Sequence, residues 1–161
     1  MSKQKGFTLI ELMVAVAILA IVLSIAIPSF STILLNNRIS TTADELHTAV
    51  QLARSEAIKR KKTVTLCRAN ADFSACVQGG IGSTDWASGW LLTSGTDVLK
   101  VWELGQGLKV TGPSKNIDFL GSGMIREPHA LSVKEQGCSS GPQYKLDINK
   151  IGWVSLEKSS C

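Results

Sequence analysis

The sequence predicts an α+β fold: a long amino-terminal α-helix, its first half membrane-anchoring, packed on a mostly antiparallel β-sheet head. Three observations predict it. An apolar stretch runs from Phe7 to Ile27, behind a short basic leader and ahead of Pro28. From Ser29 to Lys62 there is neither glycine nor proline, and apolar residues recur at steps of three and four. After Lys62 that period stops, most of the 14 glycines occur, and short runs alternate at period two. A chain of 161 residues holds one domain of ordinary size, and 44% apolar with 19% charged residues argues against disorder. The two histidines, His47 and His129, stand 82 positions apart, which excludes a multi-histidine metal site within the chain. One apolar segment excludes a polytopic membrane protein.

The amino terminus comes first. Residues 1–6 are polar and basic, Phe7-Thr8-Leu9-Ile10 leads into Glu11, and Leu12 to Leu23 has no polar side chain. At about 1.5 Å per residue, Phe7 to Ile27 makes a helix of roughly 30 Å, long enough to span a bilayer with Lys3 and Lys5 on the cytoplasmic side. A secretory signal cut near Ser24-Ile25-Ala26 and a plain membrane anchor are the competing readings. Glu11 speaks against both. A lone carboxylate in a spanning segment costs about 2.5–3.5 kcal/mol on insertion scales and calls for a partner. A cut between Gly6 and Phe7 creates one, because the new α-amino group lies one helical turn from Glu11.

Lys-Gly-Phe-Thr-Leu-Ile-Glu-Leu-Met, followed by the apolar helix, resembles the class III signal of type IV pilins and type II secretion pseudopilins. The resemblance implies cleavage after Gly6 by a prepilin peptidase and N-methylation of Phe7. It also implies pairing of Glu11 with a terminal amine during subunit docking. Pro28 matches the position where pilin helices kink or melt on packing into a filament, and a proline there removes one backbone donor and clashes with the preceding turn. The chain then divides into a leader (1–6), a transmembrane or filament-core helix (7–28), an amphipathic continuation (29–62) and a β-rich head (63–161).

In the continuation, Ile39, Ala43, Leu46, Val50, Ala53 and Ala57 form one apolar face, while Arg38, Asp44, Glu45, Gln51, Glu56 and Lys59 lie opposite. A coiled-coil seam is the alternative, but three heptads and several alanines make a poor one. The small side chains suit close approach of a sheet from the same chain. Lys59-Arg60-Lys61-Lys62 closes the helix, where cations complement the macrodipole. Together with Arg68 they are also the candidates for contact with a polyanion.

Candidate strands follow at Thr63–Cys67, Trp90–Thr93, Val98–Glu103, Leu108–Thr111, Asn116–Leu120, Ala130–Lys134, Tyr144–Ile148 and Ile151–Leu156, separated by turn-like Gly, Pro, Ser and Asn clusters. The four cysteines, Cys67, Cys76, Cys138 and Cys161, contain no Cys-x-x-Cys pair, which disfavours a zinc ribbon. Three disulfide pairings exist. Closure of the shortest loops favours Cys67–Cys76 with Cys138–Cys161, in an oxidising compartment such as the periplasm. Val64-Thr65-Leu66-Cys67, Cys76 and Trp86-Ala87-Ser88-Gly89-Trp90, preceded by Ala53-Arg54-Ser55-Glu56-Ala57, resemble the GspH/FimT/FimU group of minor pilins and pseudopilins. Trp86 and Trp90 are expected to anchor the long 68–89 loop to the core.

No catalytic, cofactor or metal motif emerges. Gly79-Gly80-Ile81-Gly82-Ser83 lacks dinucleotide or phosphate-loop spacing, Gly121-Ser122-Gly123 is not a nucleophile elbow, and His129 follows Pro128 in an expected surface turn. The expected function is structural: a minor pilin that primes assembly and sits at or near the pilus tip. Its implied partners are other minor pilins, the major pilin, the prepilin peptidase and the inner-membrane assembly platform. It would be held in the inner membrane with its head in the periplasm before assembly, and reach the pilus and cell surface afterwards. DNA uptake is a second reading. The Gly-Arg-x-Arg motif of DNA-binding relatives is replaced here by Gly152-Trp153-Val154-Ser155, without either arginine. A minor pseudopilin of type II secretion is a third. The formal charge of +4 falls to +2 once Lys3 and Lys5 leave with the leader; seven basic and three acidic residues between Arg38 and Arg68 concentrate what remains.

Overall fold

The computed structural model of the chain describes residues 7–77 and 84–161, the side chains of residues 25–29 excepted. Gly6, the glycine-rich 79–83 stretch and the kink expected at Pro28 therefore lie outside the described residues. The chain forms two compact units, Met1–Asn36 and Asn37–Cys161. The elements run α1 (Leu9–Arg60), β1 (Val64–Arg68), β2 (Gly89–Ser94), β3 (Asp97–Glu103), β4 (Leu108–Thr111), β5 (Ile117–Phe119), β6 (His129–Glu135), β7 (Pro142–Ile148) and β8 (Val154–Ser160).

In the first unit the α1 residues expose apolar side chains on every side, Leu9 being 76% and Leu23 47% accessible. Among the described residues no helix is long and apolar enough to cross a membrane.

In the second unit the predicted stripe is the buried one. Ile39, Ala43, Leu46, Val50, Ala53 and Ala57 are all at most 1% accessible, and Ala49 joins them. The stripe is thus used within the chain. The helix ends as its cations suggest: Lys59 and Arg60 occupy the last turn, and Lys61 takes a left-handed φ of 53°.

The head is antiparallel throughout, but it holds two four-stranded sheets where one was expected: β3-β2-β1-β5 and β4-β6-β7-β8. Period-two patterning places residues on faces without saying which strand pairs with which, so the split was not readable. A bridge between Asp85 and Thr111, with Trp86 N–H donating to Val110 O at 2.9 Å, ties the approach to β2 to the second sheet. Seven of the eight expected strands coincide with observed ones to within a residue or two. The eighth is displaced, and residues 149–153 form a turn. Gly152 N–H donates to Asn149 O, Trp153 N–H to Asn149 Oδ1, and Gly152 has φ +74°. The apolar residues that mimicked a strand, Ile151 and Trp153, stand exposed at 57% and 62%.

β2 is buried on both faces, and its second cover is local. Cys67, Ala69 and Leu91 pack with Phe73 and Cys76 from the loop that follows β1. The disulfides are Cys67–Cys76 and Cys138–Cys161, with Cα separations of 5.6 and 6.1 Å. Trp86 and Trp90 are core residues, as expected. Trp86 Nε1 donates to Pro113 O at 3.2 Å, and Trp90 stacks on Trp102 with ring centroids 6.3 Å apart. His129 departs from expectation. It opens β6 half-buried, paired with Ile148, and is not in a turn.

Candidate functional site

The amino-terminal segment is built from a cap. Thr8 precedes α1, and its Oγ1 accepts the Glu11 backbone N–H at 3.3 Å. In return the Glu11 carboxylate accepts the Thr8 N–H at 3.5 Å and the Thr8 hydroxyl at 3.4 Å. This is the reciprocal capping box, which satisfies donors that have no partner inside the helix. The Thr8-x-x-Glu11 spacing is itself the sequence signature of this cap. Both residues are exposed, as is Phe7, so the glutamate is held in place at an open surface.

The basic cluster at the end of α1 sorts into two kinds. Arg60 Nε meets Glu56 Oε2 at 2.7 Å, and Lys59 Nζ meets Glu56 Oε1 at 3.6 Å. The Arg60 hydrogen bond, reinforced by the charges of Lys59 and Arg60, holds the Glu56 carboxyl below its usual range against a smaller opposing effect of burial. Lys61 and Lys62 are exposed. Arg68 leaves the candidate set. It is buried at 7% accessibility, and its guanidinium donates to Ser114 O at 3.3 Å. Its place on the inward side of β1 decides this.

Two concavities accompany these features. A cleft of about 440 Å³ is lined by side chains including Lys115, Asp118, Arg126, Glu127 and His129. Burial holds the His129 imidazole below its usual range, only partly offset by Glu127. Among the described residues no group of three or more His, Cys, Asp or Glu side chains is placed to hold a metal. The second concavity, of about 320 Å³, lies between α1 and the 149–153 turn, along Arg54, Ile58, Gly152 and Trp153.

The family model described as Type II transport protein GspH matches residues 42–152, more than two thirds of the chain. The chain belongs to the GspH family. The GspH match takes in the buried stripe from Thr42 on, the Cys67–Cys76 link and β1 to β7. A prokaryotic N-terminal methylation motif matches residues 1–27, which include Gly6, Phe7 and Glu11. A fimbrial protein of Moraxella nonliquefaciens is 42% identical over 57 residues, 34% of this chain and 37% of its own length. One of Pseudomonas aeruginosa is 37% identical over 65 residues, 40% of this chain and 42% of its own length. The chain thus spans about two fifths of the length of the curated relatives it matches. The type IV minor pilin FimU of P. aeruginosa shares the fold at TM-score 0.59 and 19% identity, over 78% of this chain and 94% of that one. The minor pseudopilin EpsH of the Vibrio cholerae type 2 secretion system does so at TM-score 0.52 and 17% identity, over 74% and 96%. As a GspH-family member the chain has the pilin fold, a long amino-terminal helix packed on antiparallel sheet.

Proposed function

We propose that this GspH-family chain is a minor pilin that primes assembly of a type IV pilus and sits at or near its tip. The observation that carries the reading is the run of exposed apolar side chains from Phe7 to Leu23 bearing one carboxylate at its start. Such a surface is unstable in water and needs cover: the inner membrane before assembly, and the helices of neighbouring subunits afterwards. A prepilin peptidase cuts after Gly6, Phe7 is N-methylated, and the helix is extracted into a bundle with the major pilin and other minor pilins on the assembly platform. Thr8 already positions the Glu11 carboxylate. In the dry bundle Glu11 pairs with a terminal amine, and the cost of leaving it unpaired sets the register. Pro28 then serves as the point at which the helix yields. The role is structural, without catalysis.

The test separates charge from cap. Glu11→Ala is processed normally and recovered in sheared filaments at a small fraction of the wild-type amount. Thr8→Ala, which loses the cap and keeps the carboxylate, is incorporated far better. Equal incorporation of Glu11→Ala and wild type refutes the mechanism.

The likeness to EpsH and the GspH match favour a second reading, a minor pseudopilin of type II secretion. Deletion discriminates: loss of surface pili with secretion intact supports the pilus, and the reverse supports the secretion system. DNA uptake receives less support, because Arg68 is buried and Glu56 engages Lys59 and Arg60.

A further inference from the structure

Exposed large apolar side chains in the unit Asn37–Cys161 gather chiefly at one place. Ile58, Met124, Ile151 and Trp153 are 47%, 44%, 57% and 62% accessible. The backbone brings them together through two left-handed glycines. A Cβ on Gly123 would lie 2.6 Å from Ile58 Cδ1, and one on Gly152 would lie 2.3 Å from Gly123 O and 3.2 Å from Arg54 Cδ. Both positions therefore need glycine, and both press the loops onto one side of α1. The result is the groove between Arg54, Ile58, Gly152 and Trp153.

The groove has one polarity. Arg54 is the charged side chain of its lining, and its Nε is buried with no hydrogen-bond partner among the described residues. The lining holds no acid to balance the guanidinium, and a carboxylate answers that charge best. Beside it stand an exposed tryptophan and isoleucine, the kind of anchor that dominates protein interfaces alongside arginine.

We propose that this groove docks an acidic, apolar segment of a neighbouring filament subunit. A carboxylate of the segment pairs with the Arg54 guanidinium, and the apolar side chain next to it covers Trp153 and Ile58. The proposal rests on the reading of the chain as a filament subunit.

The test uses the full-length chain in its natural host, with p-benzoylphenylalanine in place of Trp153. Photolysis of intact filaments followed by mass spectrometry is expected to map the adduct to a segment of another subunit with Asp or Glu beside an apolar residue. Arg54→Gln should lower the adduct roughly fivefold or more, and Arg54→Lys should restore most of it. An unchanged melting temperature and intact disulfides in Arg54→Gln show that the loss is not unfolding. An adduct to a segment without carboxylates, an adduct insensitive to Arg54→Gln, a nuclease-sensitive adduct, or none from a chain present in the filaments overturns the proposal. Absence of the wild-type chain from filaments and pseudopili alike removes the filament reading itself, and the docking proposal with it.

Discussion

At the residue scale, His129 converts burial into pH dependence. Its imidazole titrates below the ordinary value of 6.5 because burial disfavours the cation, while Glu127 pulls the other way. The folded state therefore binds protons less readily than the unfolded state. The stability this contributes is fully present above about pH 6.5 and is lost as pH falls through the folded value. Thermal melts of the full chain in detergent should show a decline below pH 6.5 that His129→Gln reduces; an unaltered pH profile in the variant would locate the titration elsewhere. Arg68 teaches the opposite lesson about charge. In sequence it belongs with Lys59–Lys62; in space it is an internal donor to the Ser114 carbonyl. A cation eight residues beyond a helix end can be surface or core, and only the facing of β1 decides.

At the element scale, the alanines of α1 set how closely the head approaches. Ala43, Ala49, Ala53 and Ala57 are each fully buried, so added volume there has nowhere to go. Ala53→Leu should destabilise the chain by about 1–3 kcal/mol, read as a lowered melting temperature. A neutral result would mean that the helix face has slack. This stripe was legible because a 3.6-residue period over 19 positions is hard to imitate. The 149–153 turn was not, because Ile151 and Trp153 alternate like a strand while Asn149 and the left-handed Gly152 bend the chain. β8 was misplaced for the complementary reason: its Glu157-Lys158-Ser159-Ser160 end lies at a sheet edge and shows no buried alternation. The capping box could have been read from Thr8 and Glu11. The groove beside Arg54 could not, because it joins residues about a hundred positions apart through the close approach of two glycines.

At the scale of the whole molecule, the two disulfides serve different sheets. Cys67–Cys76 holds a cover over β1 and β2, and Cys138–Cys161 ties the chain end beyond β8 to the loop before β7. Each contributes about 2–4 kcal/mol in the chain-entropy model. Replacing Cys138 and Cys161 together by serine should raise amide exchange in β8 first, leaving β1 and β2 protected. Uniform loss of protection across both sheets would show that the head unfolds as one cooperative unit.

The cover over β1 and β2 is fastened twice. Phe73 is drawn over Leu91 and Ala69 by a loop that the Cys67–Cys76 disulfide closes and that backbone bonds such as Val77 N–H to Arg68 O also hold. Reduction would leave the flap to those hydrogen bonds alone, so the apolar sheet beneath it should open more often to proteases. For the exported filament subunit proposed above, the bond that completes this cover would then mark a head that has reached an oxidising compartment.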